Sequence, residues 1–249
     1  MKRYGLIGFP LTHSFSAGYF NEKFKREAID AEYINLPIKS ITEFPWILKS
    51  AGPFSGLNVT IPYKEQVISF LDHLSPEASE IGAVNLIKIK EKKGQIVMTG
   101  YNTDASGFLT ALGNHGVIRP ARALVLGSGG ASKAVNYALG RIGVEIVTVS
   151  RIKGKADLTY EDLEQYEIGT FDLIINTSPL GMYPDVDNAP DIPYGQLGSN
   201  NVLFDLVYNP PETKFLRIGR QAGCKTINGL NMLHLQAEEG WKIWQSTEK

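Results

Sequence analysis

The sequence has almost no cysteine: Cys224 is the only one among 249 residues. One thiol excludes a framework of disulfide bonds within the chain and is typical of proteins in a reducing compartment. No stretch approaches the roughly 20 apolar residues that a spanning helix needs, and the first residues do not resemble a secretory signal. We therefore expect a cytoplasmic protein that does not bind a membrane.

The chain also lacks an excess of charge of either sign. Its 25 Lys and Arg residues nearly balance its 26 Asp and Glu residues, and the net charge is −1. A nucleic-acid partner would require clustered basic residues, so we expect none. The four histidines have no metal-ligand spacing, which predicts no metal site. P-loop and G-x-S-x-G motifs are also missing.

Strand-like and helix-like segments alternate along the chain. The first half predicts strands over Lys2–Gly8, Tyr33–Leu36, Leu57–Thr60, Ala83–Lys90 and Gln95–Tyr101. It predicts helices over Ala17–Ile29, Ile41–Ser50 and Lys64–Leu71. The second half predicts strands over Ala123–Leu126, Glu145–Val149, Leu173–Asn176, Val202–Leu206 and Lys225–Ile227. Such alternation predicts an α/β protein with a mostly parallel sheet. The character of the sequence changes near residues 101–104, which predicts a domain boundary.

A glycine-rich turn connects an apolar strand to a helix in residues 123–134, which read ALVLGSGGASKA. Gly127 permits a tight turn, and Gly129 lets the backbone approach a pyrophosphate held at the helix N-terminus. The alternative is a plain strand-to-helix turn. The predicted cofactor-binding residues here are Gly127, Ser128, Gly129, Gly130 and Ala131.

The end of the following strand favours NADP over NAD. An acidic residue there would bind the ribose 2′-hydroxyl of NAD. Here the strand ends in Ser150-Arg151-Ile152-Lys153, which contains no acid. A guanidinium and a nearby ammonium suit a 2′-phosphate, although Arg151 could instead be a solvated surface arginine.

Polar residues interrupt the apolar pattern at several predicted strand ends and helix starts. Ser14 and Ser16 precede the first helix, where Ser16 could be an ordinary N-cap. Thr60 could cap the helix predicted over Lys64–Leu71. Lys64 would then lie in its first turn, where an ammonium is disfavoured by the helix dipole, although a surface lysine could tolerate that position.

Three further polar residues fit either a structural or a binding role. Asp104 heads a predicted helix and could be its N-cap, and Asn85 ends an apolar run. Gln236 lies at the edge of the apolar arc of the last helix, Leu230–Gln245, and needs a partner. Ligands of open α/β sheets usually bind at strand ends, which favours binding for the set as a whole.

A series of short motifs occurs in one order along nearly the whole chain. The motifs are His13-Ser14-x-Ser16, Asn58-Val59-Thr60-x-Pro62-x-Lys64, Gly82-Ala83-Val84-Asn85, Asn102-Thr103-Asp104, Gly127-x-Gly129-Gly130-Ala131, Asn176-Thr177-Ser178-Pro179-Leu180-Gly181-Met182 and Gly229-Leu230-x-Met232-Leu233-x-x-Gln236-Ala237. In this combination the chain resembles the shikimate dehydrogenase family.

The resemblance implies a two-domain enzyme that reversibly reduces 3-dehydroshikimate to shikimate with NADPH, in aromatic amino-acid biosynthesis. It implies a substrate domain over residues 1–103 plus 230–249 and a Rossmann-type NADP domain over 104–229. It leaves open whether the enzyme is a monomer or a homodimer. The alternatives are a quinate/shikimate dehydrogenase that uses NAD and a non-catalytic homologue that binds the metabolite.

The resemblance also implies roles for individual residues. Ser14 and Ser16 match serines that bind the substrate carboxylate, and Thr60, Asn85 and Gln236 match residues that bond ring hydroxyls. Lys64 and Asp104 match the catalytic pair, with the choice of proton donor left open. Tyr208 matches a position near the substrate, and Asn58 either bonds substrate or pins a loop.

On the cofactor side, the resemblance implies that Ser150 and Arg151 hold the 2′-phosphate, with Lys153 nearby. Thr177, Met182 and Gly229 are expected at the cofactor, the last two near the nicotinamide. The family's usual Thr after the arginine is Ile152 here, which removes one hydroxyl donor.

Overall fold

The computed structural model describes residues 1–11 and 14–247 as two compact units. His13, part of the first motif, lies outside the described residues. The first unit comprises Met1–Thr103 and Ala237–Lys249, and the second comprises Asp104–Gln236. The division therefore falls inside the last helix.

The first unit contains a sheet with helices between its strands. Its elements are β1 (Lys2–Gly8), α1 (Phe15–Arg26), β2 (Ala31–Pro37), α2 (Phe44–Ser50), β3 (Gly56–Val59), β4 (His73–Leu74), α3 (Pro76–Ile81), β5 (Leu86–Lys92) and β6 (Gln95–Tyr101). The strand order is β2-β1-β3-β5-β6-β4. Strands β1, β2 and β3 are parallel, whereas β5 runs antiparallel to both β3 and β6. Among the described strands, three of the five pairings in this sheet are parallel, and the turn at Lys93-Gly94 returns β6 beside β5 as an antiparallel hairpin.

The second unit contains a fully parallel sheet. Its elements are α4 (Asp104–Asn114), β7 (Arg122–Leu126), α5 (Gly130–Arg141), β8 (Glu145–Ser150), β9 (Leu158–Thr159), β10 (Leu173–Asn176), β11 (Val202–Asp205), α6 (Lys214–Gln221), β12 (Lys225–Ile227) and the start of α7 (Leu230–Gln245). The strand order is β12-β11-β10-β7-β8-β9. This order places β7 beside β10, with the chain winding outward on both sides, as in a doubly wound nucleotide-binding fold. The predicted α/β fold class is confirmed.

Burial explains why the strands of the second sheet read as continuous apolar runs. Residues 123–126 of β7 and 173–175 of β10 are fully buried. A parallel sheet covered on both faces has no solvated face, so its strands cannot alternate apolar and polar residues.

The last turns of α7 pack on the first sheet. Trp244 is buried, its indole Nε1 donates to the Ile87 carbonyl at 3.0 Å, and its ring centroid lies 4.7 Å from that of Tyr4. A Cβ on Gly56 would lie 2.1 Å from that indole nitrogen, so only glycine fits under Trp244. The buried Lys88 ammonium donates to the Ile243 carbonyl, which further fixes the end of the helix.

The predicted helix over Lys64–Leu71 is wrong. The structure has a 3₁₀ helix over Gln66–Phe70 instead, so Thr60 does not cap a helix and Lys64 is not in a first helical turn. The reason is a tertiary contact: the Lys64 carbonyl accepts from the Val84 N–H at 2.7 Å. An α-helix would need the Ile68 N–H to bond the Lys64 carbonyl, but the Ile68 N–H bonds the Glu65 carbonyl at 3.3 Å, so the dipole argument for Lys64 does not apply.

Several other local predictions differ from the structure. Helix α1 ends at Arg26, before the predicted end at Ile29, and Ala28 beyond its end has a φ of 52°. Ser14, not Ser16, is the N-cap position of this helix. The sequence patterns did not predict four elements, namely α3, α6, β4 and β9. No helix among the described residues is long and apolar enough to cross a membrane.

Candidate active site

One edge of the first sheet collects the ends of four strands. Pairings of Ile7 with Val59, Asn58 with Leu86, and Leu86 with Tyr101 form a row across the sheet. The carboxyl ends of β1, β3 and β6 and the amino end of β5 therefore lie along the same edge. The residues that follow or precede this row include the predicted substrate residues Thr60 and Asn85, together with Asn102 and Thr103.

Asn85 is the centre of a buried hydrogen-bond network at this edge. Its side-chain oxygen accepts from the Thr103 N–H at 2.8 Å, and its amide nitrogen donates to the Thr103 hydroxyl at 3.0 Å. Its carbonyl accepts from the Val59 N–H at 2.9 Å. Its backbone N–H donates to the Tyr101 carbonyl at 3.1 Å. Asn85 thus ties the ends of β3 and β6 to the start of β5.

Asn58 continues this network across β3 towards β2. Its amide nitrogen donates to the Asn85 carbonyl at 3.3 Å, and its oxygen accepts from the Tyr33 hydroxyl at 2.7 Å. Burial raises the pKa of the Tyr33 hydroxyl, and a hydrogen bond that this hydroxyl accepts from Ser16 acts against that shift. These contacts connect Ser16 with the strand edge.

Ser14 has a buried hydroxyl that makes no hydrogen bond to the described residues. Ser14 occupies the N-cap position of α1, yet its side chain makes no capping bond. A buried polar atom without a partner is costly, so the site favours a ligand that supplies an acceptor or donor. In the same unit, Thr60 is half-buried against Gly8, whose missing Cβ would lie 2.3 Å from Thr60 Cγ2.

The remaining predicted substrate and catalytic residues are divided between the two units. Lys64 is half-buried in the turns after β3, in the first unit. Asp104, Tyr208 and Gln236 belong to the second unit. Asp104 is buried at the start of α4, directly after Thr103 in the chain. The Gln236 amide donates to the Leu233 carbonyl at 3.0 Å.

The glycine-rich turn lies at the switch point of the second sheet, between β7 and β10. Gly127 has a φ of 129°, and a Cβ there would lie 2.4 Å from the Thr177 hydroxyl. That hydroxyl donates to the Leu126 carbonyl at 2.8 Å, so Thr177 closes the turn from the neighbouring strand. Ligands of doubly wound sheets bind at this place, which supports the predicted role of both residues.

The start of α5 is open in the way a phosphate site requires. Gly129 is the N-cap residue, no side chain caps the helix, and a Cβ on Gly129 would meet nothing within 4 Å. The first N–H groups of a helix carry partial positive charge and have no partner within the helix. Gly130 and Ala131 form its first turn.

Ser150 is buried and shapes the turn between β7 and α5. Its hydroxyl lies 2.9 Å from the Ser128 hydroxyl and accepts from the Ile152 N–H at 3.1 Å. The side chains of Arg151 and Lys153 that follow are exposed. The structure therefore brings the two serines together and leaves the two cationic groups available to an anion.

The segment after β10 contains the predicted residues Thr177 and Met182. Met182 is 40% exposed, and Gly181 before it has a φ of 86°, which a side chain rarely adopts. Gly229 lies so close to the Leu206 backbone that a Cβ would be 2.1 Å from its carbonyl oxygen. No larger residue fits there without moving the chain after β11.

Asp205 is a buried polar residue that no motif in the sequence indicated. It ends β11 and is fully buried, and this burial raises the pKa of its carboxyl to about 7. Hydrogen bonds from Thr213, Val207 and Asn176 act against this shift. The sequence feature that could have indicated Asp205 is an acid at the end of an apolar strand. Asp205 pairs with Asn176, which ends the neighbouring strand β10.

These features fit a dinucleotide phosphate. The open helix start and the glycine turn would hold the pyrophosphate, and Arg151 with Lys153 would hold a 2′-phosphate. Among the described residues, no three His, Cys, Asp or Glu side chains group to hold a metal ion. The fold and site define a class: α/β proteins with a doubly wound dinucleotide-binding unit and a second, mixed-sheet unit with a polar strand edge.

Comparison with known proteins identifies the family within this class. Residues 6–87 match the family model for the shikimate dehydrogenase substrate binding domain. The chain is 42% identical to the shikimate dehydrogenase (NADP(+)) of Clostridium beijerinckii, covering 100% of this chain and 93% of that protein. The chain belongs to the shikimate dehydrogenase family, and the resemblance seen in the sequence is confirmed.

Solved structures agree with this assignment. Shikimate dehydrogenase 1 from Peptoclostridium difficile has a TM-score of 0.88 at 39% identity, covering 100% of this chain and 93% of that one. Shikimate 5-dehydrogenase from Thermus thermophilus, in complex with NADP(H) and shikimate, has a TM-score of 0.83 at 32% identity. That comparison covers 98% of this chain and 94% of the other.

Proposed function

We propose that this chain is a cytoplasmic NADP-dependent shikimate dehydrogenase, which reversibly reduces 3-dehydroshikimate to shikimate. The observation that carries the proposal is the polar strand edge of the first unit. It places Thr60, Asn85 and the turns leading to Lys64 beyond one row of paired residues, with Ser16 linked to it through Tyr33 and Asn58. Family membership over the full chain supports the substrate class.

The proposed domains differ from the two compact units over residues 230–236, which belong to the second unit. We assign substrate binding to residues 1–103 with 230–249, and NADP binding to residues 104–229. The match of residues 6–87 to a substrate-binding family model supports the first assignment. The doubly wound strand order of the second sheet supports the second.

The substrate would be held by hydroxyl and amide groups. Ser14 and Ser16 bind the carboxylate, and the buried Ser14 hydroxyl, which has no described partner, gains one when substrate binds. Thr60, Asn85 and Gln236 bond the ring hydroxyls, and Tyr208 lies near the ring. Asn58 primarily pins the edge, since its amide connects Tyr33 of β2 with the Asn85 carbonyl before β5.

The protein must also move one proton. A bound nicotinamide supplies or accepts the hydride. On reduction, the carbonyl oxygen gains a proton as the ketone becomes an alcohol, and we assign this transfer to the pair Lys64 and Asp104. In one arrangement Lys64 gives the proton and Asp104 orients the reacting group. In the other Asp104 transfers the proton and Lys64 acts electrostatically.

The cofactor would lie along the second sheet. The N–H groups at the start of α5 face the pyrophosphate, with Gly127, Ser128 and Thr177 forming the turn beside it. Arg151 and Lys153 bind the 2′-phosphate, and Ser150 supports them by fixing the Ile152 backbone. Met182 and Gly229 are assigned to the nicotinamide end.

The decisive experiment measures nicotinamide absorbance with shikimate and quinate, each against NADP⁺ and NAD⁺. We expect the highest kcat/KM for shikimate with NADP⁺. A higher value for quinate with NAD⁺ would assign the chain to the quinate/shikimate dehydrogenases instead. No turnover with any pair, together with measurable binding of shikimate, would identify a non-catalytic homologue.

A further inference from the structure

The Asp205 carboxylate has no part in the proposed chemistry, yet it is fully buried at the carboxyl end of β11. One of its oxygens, Oδ1, accepts from the Asn176 amide at 3.0 Å and from the Val207 N–H at 3.0 Å. The other, Oδ2, accepts from the Thr213 hydroxyl at 2.6 Å. Burying a carboxyl group is costly unless donors surround it, and here three do.

Through Asn176, Asp205 controls the segment after β10. The Asn176 amide nitrogen also reaches the Leu180 carbonyl at 3.3 Å. The Asn176 oxygen accepts from the Ser178 N–H at 3.0 Å and from the Ser178 hydroxyl at 2.6 Å. Since Asp205 fixes which way the Asn176 amide faces, it also fixes the backbone of residues 177–183, which we call the Met182 loop.

Through Val207 and Thr213, Asp205 controls the segment after β11. These two donors lie in residues 206–213, which include Tyr208 and which we call the Tyr208 loop. Thr213 also caps α6, because its hydroxyl accepts from the Leu216 N–H at 3.3 Å. One side chain therefore anchors both ends of the Tyr208 loop.

The two loops also contact each other around this carboxylate. The Tyr183 N–H donates to the Asn209 carbonyl at 3.1 Å. A Cβ on Gly181 would lie 3.3 Å from Thr213 Cβ, so the loops are closely packed. A substitution of Asp205 would therefore displace both loops.

We propose that Asp205 is a positioning residue that holds the Met182 loop and the Tyr208 loop in register for the nicotinamide end of the cofactor. The proposal rests on the proposed function, which assigns Met182 to the nicotinamide and Tyr208 to the substrate. Small displacements of positioning groups lower rates strongly, because the reacting atoms must meet within a narrow geometry.

If Asp205 only stabilised the fold, replacing another buried, hydrogen-bonded polar residue near β11 should have the same effect. Asn201, just before the amino end of β11, is such a residue: it is buried and fully bonded. Its oxygen accepts from the Gly198 N–H at 2.8 Å, and its amide donates to the Gly169 and Phe171 carbonyls. It lies at the opposite end of the strand from both loops, which makes Asn201→Asp the matched control for Asp205→Asn.

The test measures binding and local order separately. The Kd for NADP⁺ is determined by calorimetry, and amide hydrogen exchange is followed in peptides covering the two loops. For Asp205→Asn we expect a Kd raised about tenfold, a lowered kcat, and faster exchange in both loops. For Asn201→Asp we expect a lower Tm, with the Kd and the exchange of both loops unchanged.

A second pair of variants keeps the proposal testable where Asp205→Asn does not fold. Thr213→Val removes a donor to the carboxylate, whereas Thr213→Ser retains it together with the α6 cap. We expect Thr213→Val to weaken NADP⁺ binding and Thr213→Ser to restore it. Equal Kd values for these two variants would overturn the proposal.

Two results would contradict the role of Asp205. One is a wild-type Kd and wild-type exchange in Asp205→Asn, and the other is an equal loss of NADP⁺ binding in Asn201→Asp. A failure of the proposed function is distinguishable, because it would be seen in the unsubstituted protein, as a preference for quinate with NAD⁺ or as no turnover with any pair. Even then, amide hydrogen exchange in the Met182 loop and the Tyr208 loop would show whether Asp205 orders them.

Discussion

The two units present the ends of their strands in opposite ways. The first unit lines its edge with side chains, and its buried amides Asn58 and Asn85 bond each other and the strand ends. The second unit presents a turn built around Gly127 and Gly129, with open space above Gly129 and an uncapped helix start. Side chains dominate one site and backbone dominates the other.

This difference matches the two ligands of the proposed function. A small ring with several hydroxyls is distinguished by donors and acceptors at fixed points, which a rigid side-chain network supplies. A pyrophosphate is recognised by charge and by close approach of N–H groups, which requires that side chains be absent. The following changes test whether the two sites depend on these different properties.

The largest effect is expected for Lys64→Ala at the side-chain edge. Loss of a group that transfers or stabilises a proton should lower kcat by about 10²–10⁴-fold, with little change in NADP⁺ binding. Steady-state kinetics with shikimate and NADP⁺ measure this. The control is Lys39→Ala, which removes an exposed lysine of the same unit. Turnover at the parent rate in Lys64→Ala would contradict the catalytic role of Lys64.

The second prediction concerns how the free energy of unfolding depends on pH through Asp205, a residue of the second unit. Burial raises the pKa of Asp205 to about 7 from 3.8, so its contribution to stability is full below about pH 4. That contribution is lost as the pH rises through about 7, and amounts to about 4 kcal/mol in all. Urea unfolding of the parent and of Asp205→Asn across this range should show the parent losing stability relative to the variant. Parallel curves would refute the shift.

A third change separates the backbone site from the fold. Gly129→Ala adds a methyl group where the structure has open space, so the fold should tolerate it, but the pyrophosphate should not. We expect KM for NADP⁺ to rise by about 10²-fold with Tm nearly unchanged. Gly140→Ala, in the same helix and equally open, is the control and should leave KM unaltered. A normal KM in Gly129→Ala would remove the pyrophosphate from this turn.

The smallest expected effect concerns the choice of cofactor. Arg151→Gln should raise KM for NADP⁺ by about tenfold and leave KM for NAD⁺ nearly the same, because the guanidinium would bind only the 2′-phosphate. Assays with both cofactors measure the ratio. Lys155→Gln, which changes an exposed lysine of the same loop, serves as the comparison. An equal rise with both cofactors would point to a general change in the loop.

The sequence predicted most strands of both units closely, because apolar runs and glycine turns are local signals. It predicted a helix at Lys64–Leu71 wrongly, because the Lys64 carbonyl bonds the Val84 N–H and not the Ile68 N–H. That contact comes from a segment about 20 residues away in the chain, and no local pattern indicates it.

Only part of the candidate site was predicted, because contacts between distant segments leave no local pattern in the sequence. Ordered motifs predicted roles for Lys64, Asn85 and Gly127, and the end of β8 predicted one for Arg151. Asp205 was missed, because its importance lies in donors such as Asn176, which is distant in the chain and meets it only when β10 and β11 pair.

By itself, the sequence determined the α/β class, the family and the residue types available for chemistry, because these depend on composition, periodicity and motif order. The tertiary structure decided how β5 pairs antiparallel with β3, which carbonyls remain free for local turns, and which polar groups are buried together. The physical reason is that a buried hydrogen-bonding group must find a partner, and its partner is chosen by the packing of strands that are remote in sequence.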